Sequence, residues 1–259
     1  MKVYFITFAN KKSSFDTKRI VDEATSSGYF DVVMDFSEEK LDTIFWQKHE
    51  KFIKQNPKGF GFWIWKPQII WQALQTMHDG DILCYADAGS TIHYTPKAKK
   101  RMQHYIKLVK DSPYGILSFE LPHQEKRLCK QALLEFLQAD NNIQNSAQLI
   151  ATHIIIKKCH HVMTLVKKWL DVATNHYNFL DDTKPPSGIP TPTPMKYLSC
   201  LHRHDQAIFS ILRKQYGTEI LPDESWQDPY DFNFDSPLLA TRLKKNMRLV
   251  NGKRLDKYR

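Results

Sequence analysis

The sequence predicts an α/β fold, a mixed sheet flanked by helices. Three observations carry this expectation. Residues 2–7 (KVYFIT) are rich in β-branched and aromatic types and read as a buried strand. Residues 14–26 then read as a helix closed by Gly28, and residues 31–36 (DVVMDF) as a second strand. Such a β-α-β opening resembles a parallel, nucleotide-binding (Rossmann-like) sheet. Residues 81–86 (DILCYA) form a short apolar run after the Asp79-Gly80 turn, as a central strand requires.

The other elements follow in order. Residues 38–55 read as a helix that Asn56-Pro57 stops. The stretch GFGFWIWKP (59–67) leads into another helix, with Pro67 as its first residue, where a missing N–H costs nothing. Ile69, Ile70, Ala73, Leu74 and Met77 recur there at helical spacing. Residues 97–110 read as a basic, exposed helix, 114–119 as a strand and 125–138 as a helix. Residues 150–156 (IATHIII) read as a strand and 160–174 as a helix. Residues 181–199 hold five prolines and read as a long irregular loop, of the kind that is functional or disordered. A last helix spans 204–216, and a short strand 218–221.

Composition bounds the function. A chain of 259 residues with 42% hydrophobic and 25% charged side chains suits one large globular domain. The start, MKVYFITFAN, is too short an apolar run for a signal peptide or a membrane span. The four cysteines are far apart and form no C-x-x-C pair, which argues for a reducing compartment and against a zinc cage. The net charge of +9 is uneven: from Arg242 to Arg259 there are eight basic residues and one acidic. The expected organisation is a near-neutral body, residues 1–230, with a basic tail, residues 231–259. A basic tail on a neutral body points to an anionic partner for the tail.

Three clusters carry candidate chemistry. In YADAG (85–89) an apolar strand delivers Asp87 at its carboxyl end, where open α/β sheets bind ligands. A carboxylate there suits Mg²⁺ or Mn²⁺; equally, an Asp at a strand end can cap a turn. Ala88 and Gly89 leave room for a ligand to approach the backbone. In GFGFWIWKP a helix start with Lys66 beside it suits a pyrophosphate, and Trp63 and Trp65 can stack on a sugar or base. The plainer reading is a packed aromatic turn, which leaves Lys66 to be explained, since lysine is rarely buried. In HRHDQAIFSIL (202–212), Asp205 and Gln206 lie in the first helical turn. Asp205 there either complements the helix dipole or reaches into a cleft as a general base. His202 and His204 can orient it, join a metal shell or be structural. Glu120, Arg127 and Lys130 form a weaker charged group, either lining phosphates or solvated.

Taken in order, the KVYFITF strand, GFGFWIWKPQII, GDILCYADAG, NNIQNSAQLIATHIIIKK, HDQAIFSIL and LPDESWQ resemble a family of small GT-A glycosyltransferases. Its members occur in bacterial surface-polysaccharide gene sets and in large DNA viruses. The resemblance covers residues 1–230 and implies a GT-A-like mixed sheet with a nucleotide-sugar donor at its carboxyl edge. The family's metal-binding DXD falls on Tyr85-Ala86-Asp87, so only the last Asp is present. Asp87 is then the metal ligand, for Mn²⁺ or Mg²⁺, and Tyr85 replaces the Asp that usually contacts the ribose or the metal's water shell. The resemblance further implies Thr7 and Phe8 near the nucleotide base, and Lys66 near the donor phosphates. Tyr85, Ala88 and Gly89 complete the donor side. His204, Asp205 and Gln206 form the acceptor side, with Asp205 the candidate base.

The implied partners are a nucleotide-sugar donor and a glycan or lipid-linked acceptor. The implied location is cytoplasmic, with the basic tail holding the enzyme at the anionic inner face of the membrane. The proline-rich loop is expected to fold over bound donor and exclude water. The alternative from another class is a basic nucleic-acid-binding module without catalysis, which the pI favours and the confinement of charge to the tail disfavours. A nucleotidyltransferase is disfavoured because TFANKKSS, not a glycine-rich phosphate loop, follows the first strand.

Overall fold

A computed structural model of the chain describes residues 1–11, 14–182, 202–225, 235–243, 247–250 and 253–256. Strand β1 (Val3–Phe8) is buried along its whole length. Helix α1 (Ser14–Ser27) returns the chain to β2 (Val32–Phe36), which pairs with β1 in parallel. Helix α2 (Thr43–Gln55) opens on an N-cap, with Asp42 accepting from the Phe45 N–H, and α3 (Gly59–Phe62) is a single tight turn. Helix α4 (Trp65–Thr76) leads to β3 (Ile82–Ala86), parallel to β1 on its other side. The opening three strands are therefore parallel, as the β-α-β pattern predicts.

The second half adds antiparallel pairs to this parallel start. After β4 (Thr91–Ile92) and α5 (Pro96–Asp111) comes β5 (Ile116–Gln124). Three short helices follow, α6 (Glu125–Leu128), α7 (Gln131–Phe136) and α8 (Asn141–Asn145). Strands β6 (Ala147–Leu149) and β7 (His153–Lys157), helices α9 (His160–Asn175) and α10 (His204–Tyr216), and strand β8 (Glu219–Pro222) complete the body. The seven-stranded mixed sheet runs β2-β1-β3-β7-β5-β6, with β8 against β5.

The period-two alternation of strand side chains splits the core into two layers. Tyr4, Ile6 and Phe8 of β1, with Leu83 and Tyr85 of β3, face α4, α9 and α10. Val3 and Phe5, with Ile82, Cys84 and Ala86, face α1 and α5. Trp169 of α9 stacks on Phe209 of α10 at 4.0 Å, joining the two helices behind the site. Full burial of one such side chain contributes about 1.5–3 kcal/mol.

Some boundaries differ from the sequence expectation. Helix α4 starts at Trp65, so Pro67 sits third; its missing N–H still falls among the first-turn donors that have no intrahelical partner. The single helix expected over 125–138 is two, α6 and α7. The break at Cys129 and Lys130 is extended because the Lys130 N–H donates to His202 Nδ1 at 3.2 Å. The strand expected from 150 begins at His153. Residues 151 and 152 turn their backbone groups to the site instead: the Ala151 N–H donates to Gln206 Oε1 at 3.0 Å, and Thr152 O accepts from the Asp87 N–H at 3.0 Å.

Strand β9 (Leu238–Leu239), within the segment assigned to the tail, pairs with β4 and is buried. Strands β10 (Met247–Val250) and β11 (Lys253–Asp256) pair with each other. Cys84, Cys129 and Cys159 are free thiols. No helix among the described residues is long and apolar enough to cross a membrane. The proline-rich loop lies, from residue 183 on, outside the described residues.

Candidate active site

A cleft of about 640 Å³ opens at the carboxyl ends of β1 and β3. Phe8, Ala9 and Asn10 form its wall after β1, and Asp87, Ala88 and Gly89 its wall after β3. The first residues of α10, His204, Asp205 and Gln206, face them, and Lys66 of α4 lies on the floor.

Lys66 joins the two acidic residues. Its Nζ lies 3.0 Å from Asp87 Oδ1 and 3.5 Å from Asp205 Oδ2, and it donates to Ala151 O at 3.0 Å. The Tyr85 hydroxyl donates to Asp87 Oδ1 at 2.5 Å, and its ring lies 5.1 Å from the Lys66 ammonium. The Lys66 and Asp205 side chains are 4% and 5% exposed, while that of Asp87 is 35% exposed. Lys66 thus points at carboxylates rather than at open space: what explains this buried lysine is a shared counter-ion role.

One ammonium serving two carboxylates divides unequally. Burial acts to lower the Lys66 pKa, but Asp205 and Asp87 together outweigh it and hold the lysine above its usual value. For Asp205 burial dominates. The attraction of Lys66 does not offset it, the repulsion of Asp87 adds to it, and the carboxyl is pushed up to about 6. Asp205 Oδ2 is buried and makes no hydrogen bond among the described residues.

Both histidines bond backbone carbonyls, and His204 Nε2 also lies 3.5 Å from Asp182 Oδ1. His202 Nε2 lies 2.7 Å from Phe179 O while its Nδ1 accepts from Lys130 N–H. Burial lowers its pKa to about 3, so the ring is neutral. His204 Nδ1 lies 2.5 Å from Leu180 O. Its ring stacks on both Phe62 and Trp63 at 5.2 Å, and burial lowers its pKa too. Gln206 bridges Ala151 N–H to Gln148, whose Oε1 accepts from Gln206 Nε2 at 2.7 Å.

Thr7 does not reach the cleft. It is fully buried within β1, between β2 and β3, and its hydroxyl donates to Ala86 O at 2.8 Å. Phe8, the next residue, does line the cleft and stacks on Trp65 at 3.8 Å. Trp65 is packed as core, with its indole N–H on Gly59 O at 2.9 Å. Glu120, Arg127 and Lys130 are not part of the cleft; Lys130 instead pairs with Asp181 and donates to Asn178 O at 2.7 Å.

The aromatic turn held a feature the sequence did not show. Phe60, Phe62 and Trp63 all have left-handed backbone (φ 54°, 51° and 61°), as do Gly59 and Gly61. Each such non-glycine residue costs about 1–2 kcal/mol. The run folds Trp63 back over Gly59 and presents Phe62 and Trp63 to His204. A Cβ at Gly59 would lie 2.5 Å from the Trp63 ring. Gly59→Ala is therefore expected to lower unfolding free energy by about 1–3 kcal/mol and to change Trp fluorescence. Urea denaturation reads this; a wild-type midpoint and emission spectrum would contradict it.

Among the described residues no group of three or more His, Cys, Asp or Glu side chains is placed to hold a metal. Among the described residues that line the cleft, Asp87 is the carboxylate substantially open to it, Asp205 being buried. Tyr85 and Lys66 both bond its Oδ1, which leaves Oδ2 for a ligand. Asp87 would be the residue to hold a divalent ion here, since hard cations take carboxylate oxygens.

Solved structures similar to this chain include a glycosyltransferase involved in the glycosylation of the major capsid of PBCV-1. It is 11% identical with a TM-score of 0.47, over 92% of this chain and 94% of that one. The bifunctional glycosyltransferase WbbM is 8% identical with a TM-score of 0.49, over 92% of this chain and 45% of its own. The glycosyltransferase GlyE of Streptococcus pneumoniae TIGR4 is 10% identical with a TM-score of 0.45, over 95% of this chain and 55% of its own. The chain thus spans about half the length of the last two. No family model and no curated protein matches the chain.

Proposed function

We propose that the chain is a glycosyltransferase that moves a hexose-type sugar from a nucleotide-sugar donor to a hydroxyl of a glycan or lipid-linked acceptor. The observation that carries this is the Asp87–Lys66–Asp205 bridge. It sets a half-open carboxylate and a buried one of raised pKa on opposite walls of one cleft at the carboxyl edge of the sheet. Leaving-group stabilisation needs the first, and deprotonation of an acceptor hydroxyl needs the second.

On this reading Phe8 lies against the nucleotide base, and Ala88 and Gly89 let the diphosphate approach the backbone. Asp87 holds Mn²⁺ or Mg²⁺ together with the diphosphate. The ion, when bound, offsets the charge that builds on the departing diphosphate. Asp205 takes the proton of the acceptor hydroxyl as it attacks the anomeric carbon. His204, clamped by two aromatic rings and the Leu180 carbonyl, and Gln206, fixed by Gln148, set the acceptor wall. Tyr85 acts beneath Asp87, holding Oδ1 in place. The cytoplasmic face of a membrane, reached through the basic tail, is where a lipid-linked acceptor would be met. A nucleic-acid module is less well served by a cleft whose open and buried ends both carry carboxylates, since a phosphate backbone calls for cations.

A thermal-shift panel of UDP-, GDP-, CMP- and dTDP-sugars, each with and without Mn²⁺, tests the donor reading. One donor is expected to raise the Tm, more so with Mn²⁺, and Asp87→Ala to abolish the Mn²⁺-dependent part. The shift reflects mass action, with about 2.7 kcal/mol expected at a hundredfold excess over Kd. Equal shifts in wild type and Asp87→Ala would remove Asp87 from the site. No shift with any donor would sink the reading.

A further inference from the structure

The turn that carries Asp87 is gripped from behind by α1. Arg19 Nη2 donates to two carbonyls of the turn, Ala88 O at 2.8 Å and Ser90 O at 2.7 Å. Arg19 Nη1 pairs with Glu23 Oε1 at 2.6 Å, one helical turn on, and Glu23 Oε2 accepts from the Ile92 N–H at 2.9 Å. The two side chains are only 20% and 22% exposed. This is more than a surface ion pair of the i,i+4 kind, which contributes little: its charged ends are committed to backbone groups of residues 88–92.

The grip has a geometric consequence. In a trans peptide the C=O and the following N–H point in opposite directions. No peptide bond among the described residues is cis. Drawing the Ala88 carbonyl to Arg19 therefore turns the Gly89 N–H away from α1. Ala88 and Gly89 line the cleft and Arg19 does not, so this amide is turned to the cleft side. It makes no hydrogen bond among the described residues, and neither does the Ala88 N–H; the amides on either side of the two are satisfied, Asp87 N–H by Thr152 O and Ser90 N–H by Asp87 O. The Arg19 guanidinium also polarises the Ala88–Gly89 peptide in the sense that makes that N–H a stronger donor.

We propose that the Gly89 N–H donates to a diphosphate oxygen of the donor, and that Arg19 and Glu23 are positioning residues that aim it. The inference rests on the donor reading above but assigns a contact and two residues that this reading does not need. Gly89 suits the role because the anion must come close to the backbone. A Cβ there would meet Arg242 Cα and Leu243 O at 3.4 Å, atoms of two other residues that line the cleft.

The test is a titration of the ¹⁵N-labelled full chain with inorganic pyrophosphate, followed by proton–nitrogen correlation spectra. The Gly89 amide is expected to move downfield and saturate in the wild type. Arg19→Met is expected to need about tenfold more pyrophosphate for the same Gly89 shift, the loss of one hydrogen bond to a charged group. Arg19→Lys keeps the charge but not the fork of donors, and should restore only part of it. Should Arg19→Met fail to fold, Glu23→Gln takes its place, with a weaker effect in the same direction. If the amides of Asn10, Asp87 and Ser90 respond while Gly89 does not, the Gly89 contact is wrong and the donor site stands. An unaltered Gly89 titration in the variants would remove Arg19 and Glu23 from the positioning role. If no cleft amide responds, the donor reading itself fails.

Discussion

Asp205→Asn is expected to lower kcat/KM by about 10²–10⁴-fold while nucleotide binding persists, the factor general-base catalysis typically supplies. The expectation follows from position and charge together. Asp205 lines the cleft, its Oδ2 is buried without a hydrogen bond among the described residues, and its pKa is pushed up to about 6. A base must be ionised to accept a proton. Wild-type kcat/KM is therefore expected to hold above pH 6 and to fall about tenfold per pH unit below it. Stability runs the other way. The folded state holds the proton more tightly than the unfolded chain, whose Asp titrates at its ordinary 3.8. Asp205 therefore contributes a loss of stability as pH rises from about 4 to about 6, of order 3 kcal/mol at most. Asp205→Asn should flatten both profiles. A variant with near wild-type kcat/KM, or a wild-type enzyme whose rate is level from pH 5 to 8, would rule out the base role.

The second large effect is expected at Lys66. Lys66→Met keeps the length of the side chain and removes the ammonium that serves both carboxylates. Removing one partner of a buried ion pair costs about 3–5 kcal/mol, because the other charge is left uncompensated. Asp205 then loses the influence that lowers its pKa, while burial and Asp87 still raise it. The acid limb of the rate profile is expected to move to higher pH, and the urea midpoint to fall at neutral pH more than at pH 5. A destabilised protein with an unmoved acid limb would show that Lys66 supports the fold alone. A variant as stable as the wild type would show that the ammonium is not the counter-ion.

Most elements were legible because their signals are local. Strand β1, helix α10 and the apolar face of α4 follow from composition and period over short windows, and their observed limits agree within a residue or two. Asp87, Lys66 and Asp205 each stood out singly, one at a strand end, one as a lysine among aromatics, one in a first helical turn. Their meeting could not be read, because Asp205 lies more than a hundred residues from the other two and spacing says nothing about such contacts. That hidden contact also gives Lys66 two carboxylate partners that spacing could not show. Thr7 and Phe8 were expected together near the base; alternation along β1 turns Phe8 to the cleft side and leaves Thr7 inside the sheet. The left-handed turn at 59–63 was only half visible. The glycines mark it, but φ above zero at Phe60, Phe62 and Trp63 is imposed by packing, against local preference. Arg19 and Glu23 look in sequence like any solvated helical pair; only the backbone they bond sets them apart.

The position of a bound donor is the most direct test of the proposed chemistry. A crystal of the full chain soaked with the nucleotide sugar that most raises its Tm, in the presence of Mn²⁺, should show the diphosphate beside Asp87 and the anomeric carbon turned toward Asp205. Density for the donor elsewhere on the molecule, or a sugar turned away from Asp205 with Lys66 bonded to its phosphates instead of to the two carboxylates, would contradict it.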